Sequence, residues 1–232
     1  LNRRRLRVLL AAAAFALIIP PPAAAADPRL TVDPNTPPWD AIAKVQTNIG
    51  GRCTGALIAP AVVLTAAHCL YNRHTGALLQ PVSLHVLFGY QRGTYRWHRL
   101  VVGVTVGPGF DGGKAQPQRA DWARLDLAEP IPATVTPLPV SKEAPMPGTA
   151  LALAGYNQDR AQLLVAAAEC HVIGMARSSD GGTFFTHDCA GTRGTSGAPL
   201  LTRHGDGWAV VGINIAAGRD ANLALLAAAT GG

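Results

Sequence analysis

Three side chains able to build a hydrolytic nucleophile stand far apart in the chain. His68 lies in VVLTAAHCL (residues 62–70), Asp121 in ADWARLDLAEP (120–130) and Ser196 in CAGTRGTSGAPL (189–200). A serine hydroxyl is a weak nucleophile at neutral pH and needs a base as it attacks a carbonyl carbon. Imidazole suits that task because it titrates near neutrality. A buried carboxylate on the far ring nitrogen fixes the tautomer and stabilises the imidazolium, and backbone N–H groups bind the oxyanion that forms. Each segment also has a plain structural reading. His68, beside Cys69 and small residues, could simply pack; Asp121 could cap a turn; Gly191, Gly194 and Gly197 around Ser196 could mark an ordinary loop. The three in the order His, Asp, Ser carry the chemical reading, with the N–H groups of Gly194 and Ser196 as the candidate oxyanion donors.

The elements that must position them read as strands. Short apolar runs such as AIAKVQTNI, TGALIAPAVVLTAA, SLHVLFGY and RLVVGVTVG alternate with turn signals. The 25 Gly and 18 Pro argue for many short elements joined by turns rather than long helices. EPIPATVTPLPV reads as a linker near residues 128–138 between two β units of similar size, 39–127 and 139–232. GDG at 205–207 fits a hairpin turn. QLLVAAAEC is too short for periodicity to separate strand from helix.

The first 26 residues have four Arg, an apolar stretch from Val8 to Ile19 and an Ala24-Ala25-Ala26 end, the pattern of a secretory signal; an uncleaved anchor is the alternative. Residues 27–38, rich in Pro, read as a leader or propeptide, with order expected from about Trp39. Cutting after Ala26 removes four Arg and no acid, leaving 16 basic against 14 acidic side chains, a net charge of +2. No Lys/Arg run survives, so nucleic acid is not an expected partner. The expected product is secreted or periplasmic, monomeric and without a stable membrane anchor. Cys53, Cys69, Cys170 and Cys189 form no C-x-x-C pair, so neither zinc nor any other metal or cofactor is expected. An even count in an exported chain favours disulfides. Three connectivities are open, and the sequence-local one is Cys53–Cys69 with Cys170–Cys189. The remaining histidines, including His85, His98 and His187, show no ligand spacing and are expected to pack or to face solvent.

TAAHC, DWARL and GTSGAP resemble the chymotrypsin/trypsin-like serine endopeptidases, and HDCAGTRGTSGAP is similar to the bacterial glutamyl endopeptidases among them. The resemblance runs from about Trp39 to Leu226. It implies an all-β fold of two perpendicular six-stranded antiparallel barrels with the active site in the cleft between them. It implies peptide substrates, a catalytic set of His68, Asp121 and Ser196, a disulfide from Cys53 to Cys69 around the histidine loop, and substrate binding by Ala190, Gly191, Asn214, Ile215 and Ala216. Four departures stand out. Thr195 replaces the Asp that pairs with a new N-terminus in the digestive members, and no IVGG-like start is present. Asn214 occupies the position of the histidine that helps bind glutamate. Ala190 stands where trypsin-like pockets carry an acid, with Asp188 two residues back. Only AAATGG follows the strand after which the family usually has a helix. A non-catalytic binding module on the same fold is the alternative function, and ester cleavage is a variant of the same chemistry.

Overall fold

The structure, a computed structural model, describes residues 26–112, 114, 118–218 and 220–231. The signal-like residues 1–25 lie outside that set. A short strand β1 (Leu30–Thr31) comes first, followed by β2 (Ile42–Thr47), β3 (Arg52–Ala59) and β4 (Val62–Thr65). A small hairpin of β5 (Tyr71–Asn72) and β6 (Ala77–Leu78) follows the histidine turn. Then come β7 (Leu84–Phe88), β8 (Trp97–Val106) and β9 (Ala123–Leu127). Strands β2, β3, β4, β9, β8 and β7 pair in that order and close into a six-stranded antiparallel barrel. Register shifts in β3 after Leu57 and in β8 after Val101 bend the strands as closure demands. Inward side chains of Val45, Leu57, Val63, Val86, Phe88 and Leu125 fill it. Closure removes the free strand edges that would otherwise invite pairing between chains.

The second half contains β10 (Ala150–Gly155), β11 (Val165–Arg177), β12 (Thr183–His187), β13 (Pro199–His204), β14 (Gly207–Ala216) and β15 (Asn222–Leu226). They run β11-β10-β13-β14-β15-β12, and the β11–β12 pairing closes the second barrel. From Val165 on, the Ala-rich segment that sequence left ambiguous is strand, the first part of β11. Its early residues pair with β10 and its late residues with β12, so the ladder decides over local propensity.

The expected linker is pinned at both ends. The N–H groups of Ile131 and Leu138 donate to Pro60 and Leu57 of the first barrel. Just beyond, the Ser141 N–H donates to the Val210 carbonyl and the Val210 N–H to the Pro139 carbonyl, which ties the chain to β14 of the second. Ala152, Ala154, Tyr156 and Leu201 of the second barrel extend the core of the first.

Residues 27–38 differ from expectation. Order begins before Trp39, because β1 pairs antiparallel with β11, Leu30 opposite Ala166 and Thr31 opposite Val165. That short stretch of β11 lies beyond the reach of β12, so β1 covers an edge that the barrel leaves open. Arg29 then bonds Asp27 and Asp159, and Arg160 bonds Asp27 in turn. A period-2 search cannot find a two-residue strand. After β15, Ala227–Thr230 form a single 3₁₀ turn. Among the described residues no helix is long and apolar enough to cross a membrane.

Candidate active site

His68 sits in a 3₁₀ turn, Ala67–Leu70, that directly follows β4. The small residues Ala66 and Ala67 are fully buried, so the turn is held flat against the barrel while the ring remains partly exposed. Cys69, the next residue, is bonded to Cys53 in β3. Asp121 lies two residues before β9 with its carboxylate fully buried. Both of its oxygens are taken by His68. The backbone N–H of His68 donates to Oδ1 at 2.9 Å, and Nδ1 lies 2.8 Å from Oδ2. A buried carboxylate accepts only donors without penalty, so Nδ1 carries a proton and Nε2 is left as the free lone pair of the neutral ring.

Ser196 comes from the second barrel, on the loop between β12 and β13. Gly197 has φ +76°, and a Cβ there would lie 2.7 Å from the Ala66 nitrogen and collide with the Thr65 hydroxyl. The serine loop is therefore pressed against the turn that carries His68. The Ser196 carbonyl accepts the Thr54 N–H at 3.0 Å and lies 3.8 Å from Cys69 Sγ, a contact only, since a disulfide sulfur has no proton to give. The Ser196 hydroxyl makes no hydrogen bond among the described residues. In ligand-free sites such bonds commonly tighten only when substrate binds.

Gly194 is the second position where only glycine fits. Its φ is +96°, and a Cβ would overlap the Tyr156 carbonyl oxygen. The Gly194 carbonyl is held by the Thr54 hydroxyl at 2.8 Å, and the same hydroxyl accepts the Tyr156 N–H at 3.0 Å. With the carbonyl turned away, the Gly194 N–H and the Ser196 N–H have no acceptor among the described residues. Two unspent amides flanking one hydroxyl can receive a developing oxyanion.

The expected substrate-contact residues divide into two groups. Ala190 and Gly191 are half-buried and wall a cavity of about 500 Å³, together with His187, Thr192 and Asn222. Residues 26–29, tethered by Arg29, close its far side. Ala216 is half-buried at the end of β14. Pairing of β13 with β14 stops at Pro199 opposite Ile213, so past Asn214 that edge of β14 has no strand beside it and can accept an extended peptide. Ile215 and Asn214 point inward. Ile215 packs with Leu64, Trp122 and Phe184, a cluster that joins the two barrels beneath Asp121.

Asn214 spends its polar atoms internally. Its Oδ1 lies 3.1 Å from His187 Nε2, and its amide donates to the Thr195 carbonyl and hydroxyl at 3.3 and 3.1 Å. The Thr195 hydroxyl donates in turn to the Thr192 carbonyl at 2.7 Å. Asn214 therefore braces the residue before Ser196 rather than presenting its side chain to a ligand, and Thr195 is tied inward by neutral bonds. His187, expected from sequence to pack or to face solvent, is fully buried against Asn214. Only the HDC tripeptide ahead of the glycine loop could have hinted at it.

Burial pushes the His187 imidazole down to about 4, and its bond to Asn214 and the charge of Asp188 offset this only in part. Its Nδ1 has no partner, so a proton there would be a buried unpaired donor. The folded value lies below the ordinary 6.5. Above pH 6.5 the ring is neutral in both folded and unfolded chains and the contribution to stability is complete. Between pH 6.5 and 4 the unfolded chain takes up a proton that the folded one refuses, so stability falls by about 3 kcal/mol. Urea unfolding across this range should show the fall in the native chain and a correspondingly shallower one in His187→Gln. Equal slopes would place the titrating group elsewhere.

Twin closed barrels with a histidine turn from one pressed against a serine loop from the other make up the chymotrypsin-type fold. The chain belongs to the trypsin family: the family model described as Trypsin matches residues 31–228. It is 27% identical over 127 residues to a glutamyl endopeptidase of Bacillus licheniformis, covering 53% of this chain and 38% of that protein. It is 32% identical over 110 residues to the human complement C1r subcomponent-like protein, covering 44% of this chain and 21% of that one. The chain thus spans well under half the length of either relative. A solved structure of a Glu endopeptidase in complex with MPD superposes with a TM-score of 0.73 at 22% identity, over 88% of this chain and 92% of that one. Both disulfides of the sequence-local pairing are present, Cys53–Cys69 and Cys170–Cys189. Among the described residues the cluster of potential metal ligands is Cys170, Asp188 and Cys189, and its two sulfurs are bonded to each other.

Proposed function

We propose that this protein is an exported serine endopeptidase. Ser196 attacks the peptide carbonyl while His68 Nε2 takes its proton. The N–H groups of Gly194 and Ser196 bind the oxyanion, and Asp121 holds the ring and stabilises its charged form. His68 then protonates the leaving amine, and water activated by the same nitrogen releases the acyl group. The observation that carries this reading is the pair of hydrogen bonds by which Asp121 accepts from the His68 backbone N–H and from Nδ1, which fixes the one tautomer able to accept the serine proton. Substrate chain adds along the open edge of β14, with the side chain before the cleaved bond entering the cavity by Ala190 and Gly191. The protein acts as a monomer on proteins or peptides, without nucleic acid.

Labelling with a fluorophosphonate tests the reading. Ser196 should react, and Ser196→Ala and His68→Ala should abolish the reaction while the folded chain retains its thermal transition. A folded native chain that resists the reagent and cleaves no peptide in a mixed library would return the non-catalytic reading.

A further inference from the structure

On the other flank of the serine loop a second cavity, about 350 Å³, opens against Gly194. Lys44 and Arg52 from the first barrel and Arg193 from the second wall it, with Tyr156 and Ala161 behind. None of the residues on its wall is acidic. Arg52 and Arg193 are exposed, and their side chains make no ion pair or hydrogen bond among the described residues. Lys44 is only 2% exposed, yet its ammonium bonds a single acceptor, the Ala161 carbonyl at 2.9 Å, while resting 3.7 Å from the centre of the Tyr90 ring. Three positive charges without a counter-charge repel one another and hold a field open to an anion. Burial, together with the charge of Arg52, pushes Lys44 down to about 8. A bound anion would relieve that strain.

The position gives the anion its source. The cavity at Ala190 and Gly191 takes the residue before the cleaved bond in the reading above. A carbonyl held by the Gly194 and Ser196 amides leaves the rest of the peptide to run past Gly194 on the opposite flank, toward Arg193, Arg52 and Lys44. We propose that this cavity binds a carboxylate carried by the leaving half of the substrate, so that the enzyme selects for negative charge just after the bond it cuts. The inference rests on the proteolytic reading and adds a second, independent determinant to it.

Internally quenched peptides test it, identical up to the cleaved bond and carrying Glu, Gln or Lys in the two following positions. In the native protein at low salt, kcat/KM should fall in the order Glu, Gln, Lys, spanning roughly tenfold or more, and the span should shrink at high salt. A parallel pair with short leaving halves, ending in a free carboxylate or an amide, separates a chain terminus from a side chain as the anion. Preference in either pair supports the site and assigns its source. Arg193→Gln and Arg52→Gln, both at exposed positions, should each compress the Glu-to-Lys ratio several-fold, and Lys44→Met should do so where its melting curve confirms folding. Equal cleavage of the Glu, Gln and Lys peptides, with no difference between carboxylate and amide, would overturn the inference while leaving the endopeptidase reading intact. Absence of cleavage in every peptide, with Ser196 unlabelled, would remove both.

Discussion

Asp121→Asn is expected to lower kcat by about 10⁴-fold with little change in KM. The reason lies in how its two oxygens are used. Both accept hydrogen bonds, one from the His68 backbone N–H and one from Nδ1–H. An asparagine keeps one acceptor and replaces the other with a donor. If its NH₂ faced the backbone, two donors would meet in a site without solvent, and the backbone N–H cannot be removed. The ring can change, because imidazole exchanges tautomers readily. The amide should therefore face Nδ1, which becomes the acceptor, and the proton should move to Nε2. That nitrogen can then no longer take the Ser196 proton. Asp121 is fully buried and touches no substrate, so binding should be nearly unaffected. Steady-state kinetics on a peptide substrate checks the split, and the ¹⁵N signals of the His68 ring report the tautomer directly. An Asn variant retaining a tenth or more of native kcat would show that Asp121 does not set the state of His68.

This prediction could be framed from sequence, since TAAHC, ADWARL and GTSGAP mark the three participants by type and order. What sequence withheld is mostly contact between segments that share no local pattern. The bracing of Thr195 joins His187 in β12 to Asn214 in β14, strands brought near through β15. His187 in a linear reading is one histidine among seven, and only complete burial turns it into a neutral anchor. Asn214 was legible as a position but not as a role. A side chain on the cleft strand can face the ligand or the barrel, and the bulge between Asn214 and Ala216 decides which. The early start of order, before Trp39, was hidden for a related reason. Leu30 and Thr31 have no alternation to detect, and the edge of β11 that receives them exists only once the second barrel has closed. Strand content was legible because apolar runs rich in Val, Ile and Leu between turn signals need no partner to be recognised, whereas the barrels followed only from the resemblance carried by the three motifs.

Gly194→Ala is the second large effect. It should lower kcat/KM by at least 10²–10³-fold, the loss typical of one oxyanion donor, and destabilise the fold as well. A left-handed φ of +96° costs a non-glycine residue about 1–3 kcal/mol by itself. The added methyl would also strike the Tyr156 carbonyl, and that carbonyl cannot retreat. Tyr156 is 1% exposed, its N–H is bonded to Thr54, and its hydroxyl donates to the Tyr90 carbonyl at 3.1 Å. The neighbouring Gln158 N–H is fastened to the Arg193 carbonyl at 2.6 Å. With the wall fixed, the peptide between Arg193 and Gly194 must rotate, which breaks the Arg193–Gln158 bond and swings the Gly194 N–H away from the site. Gly205→Ala supplies the contrast. It too has positive φ, +56°, but nothing lies within 4 Å of its Cβ position in the β13–β14 turn. It should cost some stability by the backbone term and leave kcat/KM unchanged. If Gly194→Ala lowered the melting temperature no more than Gly205→Ala and kept native turnover, the Gly194 amide would not be the group that receives the oxyanion.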